Sequence, residues 1–555
     1  MRTPRSLRAL LAATLFVAAY SPAQAGQIFV DFFANPGTGF DDQTPVAPVA
    51  GNNGTTLGAQ RVNVFLKAAE IWTQTLSPEQ DIFVAAQFTS LGPNVLGSAG
   101  ANFIWSNFPG AEFPNTWYFD TLADHLAKTD LSPPTYDIIA NFSSDFAFYL
   151  GFDNNDPPNT ADLLVVVLHE MGHGLNFANA VNETNGTIPA PAGATVPYSD
   201  VYSQYTIDVT KNKTWGAMTA AERAVSAVNA RKVSWSGLHV KESVPDVLQK
   251  GEPAVRVNKP AALGSLMIGT AAFGAPLTAT GVTGDVIVGL DASDAAGPST
   301  TDGCSTLTNA VFGKIVMLDR GTCGFVVKVK NAQDAGAIAV LIADNQPGTP
   351  PSGLGGADPA ITISAGRITL VDGNAIKASL GTPVNVTLRI DRSVLAGTDR
   401  VKGLMMLNAT DPVQLGSSIS HFEPVAFPNQ LMEPAINIDL TSSVTPPEDL
   451  TMPLLTDLGW FSDRDGVPDG LDSCLGSDLS PTVKIGTCDS KSPNPVLPTG
   501  CSVTDRVTQC DILRPNRPLL YLACVALRTA ELQHARVIDR RNEAAIDVCA
   551  LKSLR

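Results

Sequence analysis

The sequence predicts an α+β protein in which a mixed domain is interrupted by an α/β module and followed by a small disulfide-rich helical tail. Three observations predict it. Helical and strand signals alternate from residue 26 to about residue 235. From about 240 to 403 the composition turns to small and β-branched residues with many glycines and few aromatics. All eight cysteines lie beyond residue 300, six of them from Cys474 onward. At 555 residues the chain has room for several domains of roughly 150 residues each.

The first segment, 1–25, has a basic start (Arg2, Arg5), an apolar stretch from Leu10 to Ala19 and the small-residue site Ala23-Gln24-Ala25. That order is the pattern of a secretory signal peptide, so the expectation is a secreted or periplasmic protein. No later run offers the ~20 apolar residues of a membrane helix, which predicts no transmembrane anchor. An even cysteine count in an exported chain points to disulfides, and the absence of any Cys-x-x-Cys pair argues against a zinc knuckle. A net charge of -16 argues against nucleic acid as a partner.

Within 26–239, Val62, Val64, Phe65, Ala68, Ala69 and Trp72 recur at helical spacing across Ala59–Thr75. Strands are expected at Asp81–Phe88 and Tyr136–Phe142, where β-branched and aromatic residues are bounded by Pro, Asn and Ser. After the break Asn154-Asn155-Asp156-Pro157-Pro158 a helix is expected, with Asn159 or Thr160 as its N-cap and the apolar run Leu163–Leu168 as its body. In 240–403, a strand at Lys314–Leu318, a helix at Phe325–Ala335 and a strand at Ala337–Ala343 form a βαβ unit, with a further strand at Asn385–Ile390. The stretch 404–460 is more polar and ends at Leu458-Gly459-Trp460. An Asp-rich segment, 461–480, precedes a tail, 481–555, with helical patterns at Leu519–Leu532 and Asn542–Leu551.

The chemistry centres on His169-Glu170-Met171-Gly172-His173, which closes the apolar run. On a helix, residues i and i+4 share a face, so His169 and His173 can offer nitrogens to one zinc ion while Glu170 reaches a water beside it. A catalytic zinc usually takes a third protein ligand. The short motif His-Glu-x-x-His-x-x-Gly-x-x-His would need Gly at Asn176 and His at Asn179, so the third ligand lies elsewhere. Only four other histidines exist: His125 on an amphipathic helix, His239 at the module junction, His421, and His534 in the tail. Asp200 and Asp208 are carboxylate alternatives.

Three resemblances sharpen this reading. The run Gly313-Lys314-Ile315-Val316-Met317-Leu318-Asp319-Arg320-Gly321-Thr322-Cys323-Gly324-Phe325, followed by Lys328-Val329-Lys330-Asn331-Ala332, resembles the protease-associated (PA) domain. That family's module is noncatalytic, and the resemblance implies a disulfide between Cys304 and Cys323. Ser420-His421-Phe422 followed by Leu431-Met432, taken with the zinc helix and Phe177, resembles the leishmanolysin-type metzincins. This implies a metzincin-like catalytic domain with His169, His173 and His421 as zinc ligands, Glu170 as general base and Met432 in a Met-turn. Asn176 departs from that family's Gly and Phe422 from its Trp. Because the implied ligands fall on both sides of 240–403, the module would be inserted into a single catalytic domain. Finally, Asp463, Asp465 and Asp469 are spaced as in a thrombospondin type-3 calcium repeat, whereas an EF-hand would need Glu at Cys474.

The expected function is a secreted zinc-dependent endopeptidase acting on protein or peptide substrates. The alternative is a catalytically inactive extracellular peptide-binding or adhesion protein on the same fold.

Overall fold

The computed structural model describes residues 26–554 apart from Asn159, Ile438 and Arg464, so the leader segment lies outside it. The N-terminal part is built on β1 (Ile28–Phe33), α1 (Leu57–Leu76), β2 (Ile82–Thr89), β3 (Gly97–Ala101), β4 (Ile138–Ser143) and α2 (Leu163–Gly174). The four strands form one sheet in the order β1-β2-β4-β3. The first three neighbours run parallel, and β3 lies antiparallel on the edge beside β4.

Sequence explains these elements one at a time. Thr56 caps α1 by accepting from the Ala59 N–H, and its stripe Val64, Phe65, Ala68, Trp72 and Leu76 is buried against the sheet. Every residue of α2 is buried, as expected for a helix apolar all round. Its N-cap is Asp162, whose carboxylate accepts from the Leu164 and Val165 N–H groups, and not Thr160; Asn159 lies outside the described residues. Trp72 Nε1 donates to the Leu168 carbonyl at 3.3 Å, joining the two helices through the core.

One hydrophobic core contains residues from Ile28 to Leu248 and again from Met405 to Trp460. The two stretches meet through isolated antiparallel β-bridges: Ser234 pairs with Met406, and Leu407 pairs with Phe422. The helix Leu238–Val247 puts Val240, Val244 and Val247 into this same core. The boundary expected near residue 240 therefore falls about ten residues later, because that helix is amphipathic and faces the first core.

Between these stretches lies a module with its own two clusters of buried residues. Its strands are β5 (Lys250–Lys259), β6 (Val282–Val288), β7 (Ile315–Asp319), β8 (Ala339–Ala343), β9 (Ser364–Ile368) and β10 (Asn385–Leu395). They dominate an eight-stranded sheet in which β6, β7, β8 and β9 run parallel. The helix Phe325–Asp334 makes the crossover from β7 to β8, as the βαβ pattern predicts. The entering β5 and leaving β10 pair antiparallel, so the module's two ends emerge together. Cys304 and Cys323 are bonded inside it.

The tail joins a hairpin, Thr482–Ile485 with Cys488–Pro493, to the helices Pro518–His534 and Arg540–Lys552. Disulfides Cys474–Cys501, Cys488–Cys549 and Cys510–Cys524 tie it together. No helix among the described residues is long and apolar enough to cross a membrane.

Candidate metal centre

His169 and His173 leave the C-terminal half of α2 on one face, and His421 meets them from the far side of the inserted module. Their three Nε2 atoms are mutually 3.2 Å apart. Each Nδ1 faces a backbone carbonyl: Leu431 for His169 at 2.7 Å, Phe177 for His173 at 2.8 Å, and Ser417 for His421 at 2.9 Å. A carbonyl only accepts, so each Nδ1 must carry the proton, and each Nε2 presents a lone pair to the shared point. Burial first, and then mutual repulsion for His173 and His421, pushes the imidazoles toward neutrality, His169 to about 4 and His173 to about 3. Three neutral nitrogens at this spacing suit a tetrahedral zinc with Zn–N bonds of about 2.0–2.1 Å.

Glu170 is 6% exposed, and burial pushes its carboxyl up to about 8, partly opposed by a hydrogen bond from the Ala99 backbone. That donor belongs to edge strand β3. The sequence gives no warning of it, because Gly97-Ser98-Ala99-Gly100-Ala101 lacks the β-branched and aromatic residues that mark a strand. Gly97 is needed there: a Cβ on it would sit 2.7 Å from Glu170 Cγ and Oε1.

Below the histidines, Met432 is fully buried and its sulfur lies 2.8 Å from where a Cβ on Gly172 would be. Glycine inside the motif thus lets the methionine pack directly under α2. Leu431, whose carbonyl receives His169, donates its own N–H to buried Asp449 at 2.6 Å, a support the sequence reading did not identify. Asn176 adopts the left-handed conformation (φ 83°) that Gly most readily supplies, and its Oδ1 accepts from the Phe119 N–H. Phe177 and Phe422 pack edge to face at 5.0 Å. Ile419, two residues before His421, also has positive φ (67°), a strained state for a β-branched side chain. It is held by its N–H donating to the Asn408 carbonyl and by Tyr202 Oη donating to its own carbonyl.

The carboxylate alternatives are elsewhere. Asp200 accepts from Ser203, and Asp208 from Thr210, Lys211 and Asn229. Asn179 bonds Ser420 and Glu183. His125 receives the Glu79 N–H and lies beside Trp460.

Oxygens of Asp463, Asp465 and Asp472, not Asp469, converge within 4.8 Å of one another. The short helical turn Asp469–Leu471 swings Asp469 into the protein, where it accepts from the Phe461 N–H and meets Glu112. Asp472 is fully buried, and Asp465 Oδ2 and Asp472 Oδ2 have no hydrogen-bond partner among the described residues.

Fold and site together define a PA-domain protein with a buried three-histidine cluster flanked by a carboxyl group. The PA domain family model matches residues 282–376. Among curated proteins, the chain is similar to Signal peptide peptidase-like 3 of Arabidopsis thaliana, 30% identical over 154 residues, covering 25% of this chain and 28% of that protein. It is also similar to Vacuolar-sorting receptor 2 of Arabidopsis thaliana, 35% identical over 106 residues and 17% of each chain. The chain thus spans less than a third of the length of either relative. Among solved structures, an aminopeptidase from Aneurinibacillus sp. strain AM-1 superimposes with a TM-score of 0.21 at 27% identity, covering 26% of this chain and 31% of that one. A zinc aminopeptidase from Bacillus subtilis gives 0.20 at 21% identity, covering 27% and 36%.

Proposed function

We propose that the protein is an exported zinc-dependent endopeptidase of leishmanolysin-like metzincin type, with protein or peptide substrates. The observation that carries this reading is the convergence of His169, His173 and His421 through their Nε2 atoms, with Glu170 adjacent on α2. Zinc bound there supplies a Lewis acid, bringing the pKa of water from 15.7 toward about 7 and polarising the scissile carbonyl. The chain's own residues supply the rest. Glu170 accepts the proton of the attacking water and returns it to the leaving amine nitrogen as the C–N bond breaks. The carbonyls of Leu431, Phe177 and Ser417 keep the three imidazoles in one tautomer and orientation. Edge strand β3, paired among the described residues with β4 alone, supports an extended peptide as the substrate form.

Glu170→Gln tests the assignment. It is expected to retain zinc at wild-type stoichiometry and to lose about 10²–10⁴-fold in turnover of an unfolded protein substrate. Zinc-loaded wild type with no chelator-sensitive cleavage would leave the noncatalytic peptide-binding reading in its place.

The reading extends to a calcium ion held by Asp463, Asp465 and Asp472, supported by two buried oxygens that have no partner among the described residues. Millimolar calcium is expected to protect segment 460–480 from proteolysis in wild type and not in Asp472→Asn. Equal digestion rates with and without calcium would remove the ion from the account.

A further inference from the structure

A chain of ion pairs on two buried glutamates runs from the inserted module to the segment carrying His421. Arg231 occupies a left-handed turn (φ 58°) just before the strand Val233–Trp235. Its Nη1 donates to Glu252 Oε1 at 2.7 Å, and its Nε to Glu423 Oε1 at 3.3 Å. Glu252 lies on β5, where the module begins, and its other oxygen accepts from Arg400 Nη2 at 2.7 Å. Arg400 also donates from Nη1 to Asp391 of β10, where the module ends, at 2.9 Å. Glu423 stands two residues after His421. Both glutamates are nearly inaccessible, Glu252 4% and Glu423 1% exposed.

The backbone makes the connection short. The Leu407 N–H donates to the Val233 carbonyl, the Asn408 N–H to the His421 carbonyl, and the Glu423 N–H to the Met406 carbonyl. Arg231 therefore sits at the end of the ladder that carries the third histidine, with its guanidinium clamped to the module on one side and to that ladder on the other.

We propose that Arg231 is a positioning residue that fixes His421 by locking the PA module to the third-ligand segment, an assignment that rests on the zinc-peptidase reading. Stability alone is a weak reason for such a relay, since a buried ion pair roughly offsets its own desolvation and an apolar replacement packs as well. A guanidinium fork sets direction as well as attraction, and it holds two carboxylates from different segments in one register. Glu423 depends on it: among the described residues Arg231 is the one cation paired with Glu423, whose Oε2 has no partner. Loss of the Arg231 contact would leave Glu423 an unpaired buried carboxylate two residues along the chain from His421.

The test uses the full chain and three variants, Glu252→Gln, Arg231→Met and Arg231→Lys. The first readout is the ring proton–nitrogen spectrum of the metal-free protein, which requires neither zinc nor activity. Glu252→Gln, remote from the histidines, is expected to shift the His421 ring signals and leave those of His169 and His173 in place. Arg231→Met is expected to shift them further, with Arg231→Lys between the two. In the zinc-loaded protein Arg231→Met should lower kcat about tenfold with KM little changed, and the double variant with Glu423→Gln should be no worse, because the pair acts as one unit. A folded Glu252→Gln protein whose His421 signals coincide with wild type, or in which all three histidines shift alike, would overturn the proposal. If Arg231→Met does not fold, Glu252→Gln decides. If zinc-loaded wild type cleaves no peptide, the enzymatic reading fails while the ring signals still settle the relay.

Discussion

Glu170 and Gly97 act as one unit, although they belong to a helix and to a strand that the sequence did not announce. With a methyl group at 97 in contact with Glu170 Cγ and Oε1, the carboxyl must move. Gly97→Ala is therefore expected to lower kcat by about 10–100-fold, the cost of roughly an ångström of misplacement, while zinc content stays at the wild-type level. Metal analysis beside steady-state kinetics checks it; unchanged kcat would show that Glu170 has room to spare. A second residue-scale prediction concerns Asp120, Asp124 and Asp137, three buried aspartates with no salt bridge among the described residues. Burial raises all three carboxyls, Asp124 to about 8 and Asp137 to about 7. Folded, these groups keep protons that the unfolded chain releases near pH 4. For Asp124 and Asp137 the contribution to stability is full below about pH 4 and is lost as pH rises through about 7 to 8. Thermal unfolding across pH 4–9 should show that decline, flattened in Asp124→Asn; an identical slope in the variant would contradict it.

At the scale of elements, what was legible followed from period and composition. The stripe from Val64 to Leu76, the βαβ unit around Ile315–Ala343 and the buried run before His169 each carry a strong periodic or compositional signal, and each became the expected element. The His-Glu-x-x-His spacing fixed which histidines share a face, because helix geometry alone sets it. Short-range polar chemistry was harder to read. Asp162 displaced Thr160 as the cap, since the choice among neighbouring cap residues depends on where the chain turns. Asp472 displaced Asp469 among the clustered aspartates for a similar reason: one helical turn at Asp469–Leu471 redirects the side chain toward Glu112. Strand β3 was invisible because its residues are small, and its place is set by pairing with β4 and by approach to Glu170 rather than by its own propensity.

At the scale of the molecule, the decisive feature is that one core is assembled from two stretches separated by about 150 residues of inserted module. No local pattern contains that information; motif resemblance alone led the sequence reading to His421, across the insertion. The structure supplies the physical reason: β5 and β10 pair, the flanking segments Val233–Trp235 and Met405–Leu407 lie side by side, and the His421 segment adds to them. The account's central claim is thus that a split site is closed by His421. The most direct measurement is zinc stoichiometry and chelator-sensitive peptidase activity of the wild type beside His421→Ala, with folding of both verified by circular dichroism. The account predicts close to one tightly held zinc and activity in wild type, and loss of both in the folded variant. A folded His421→Ala protein that keeps its zinc and its activity would contradict it.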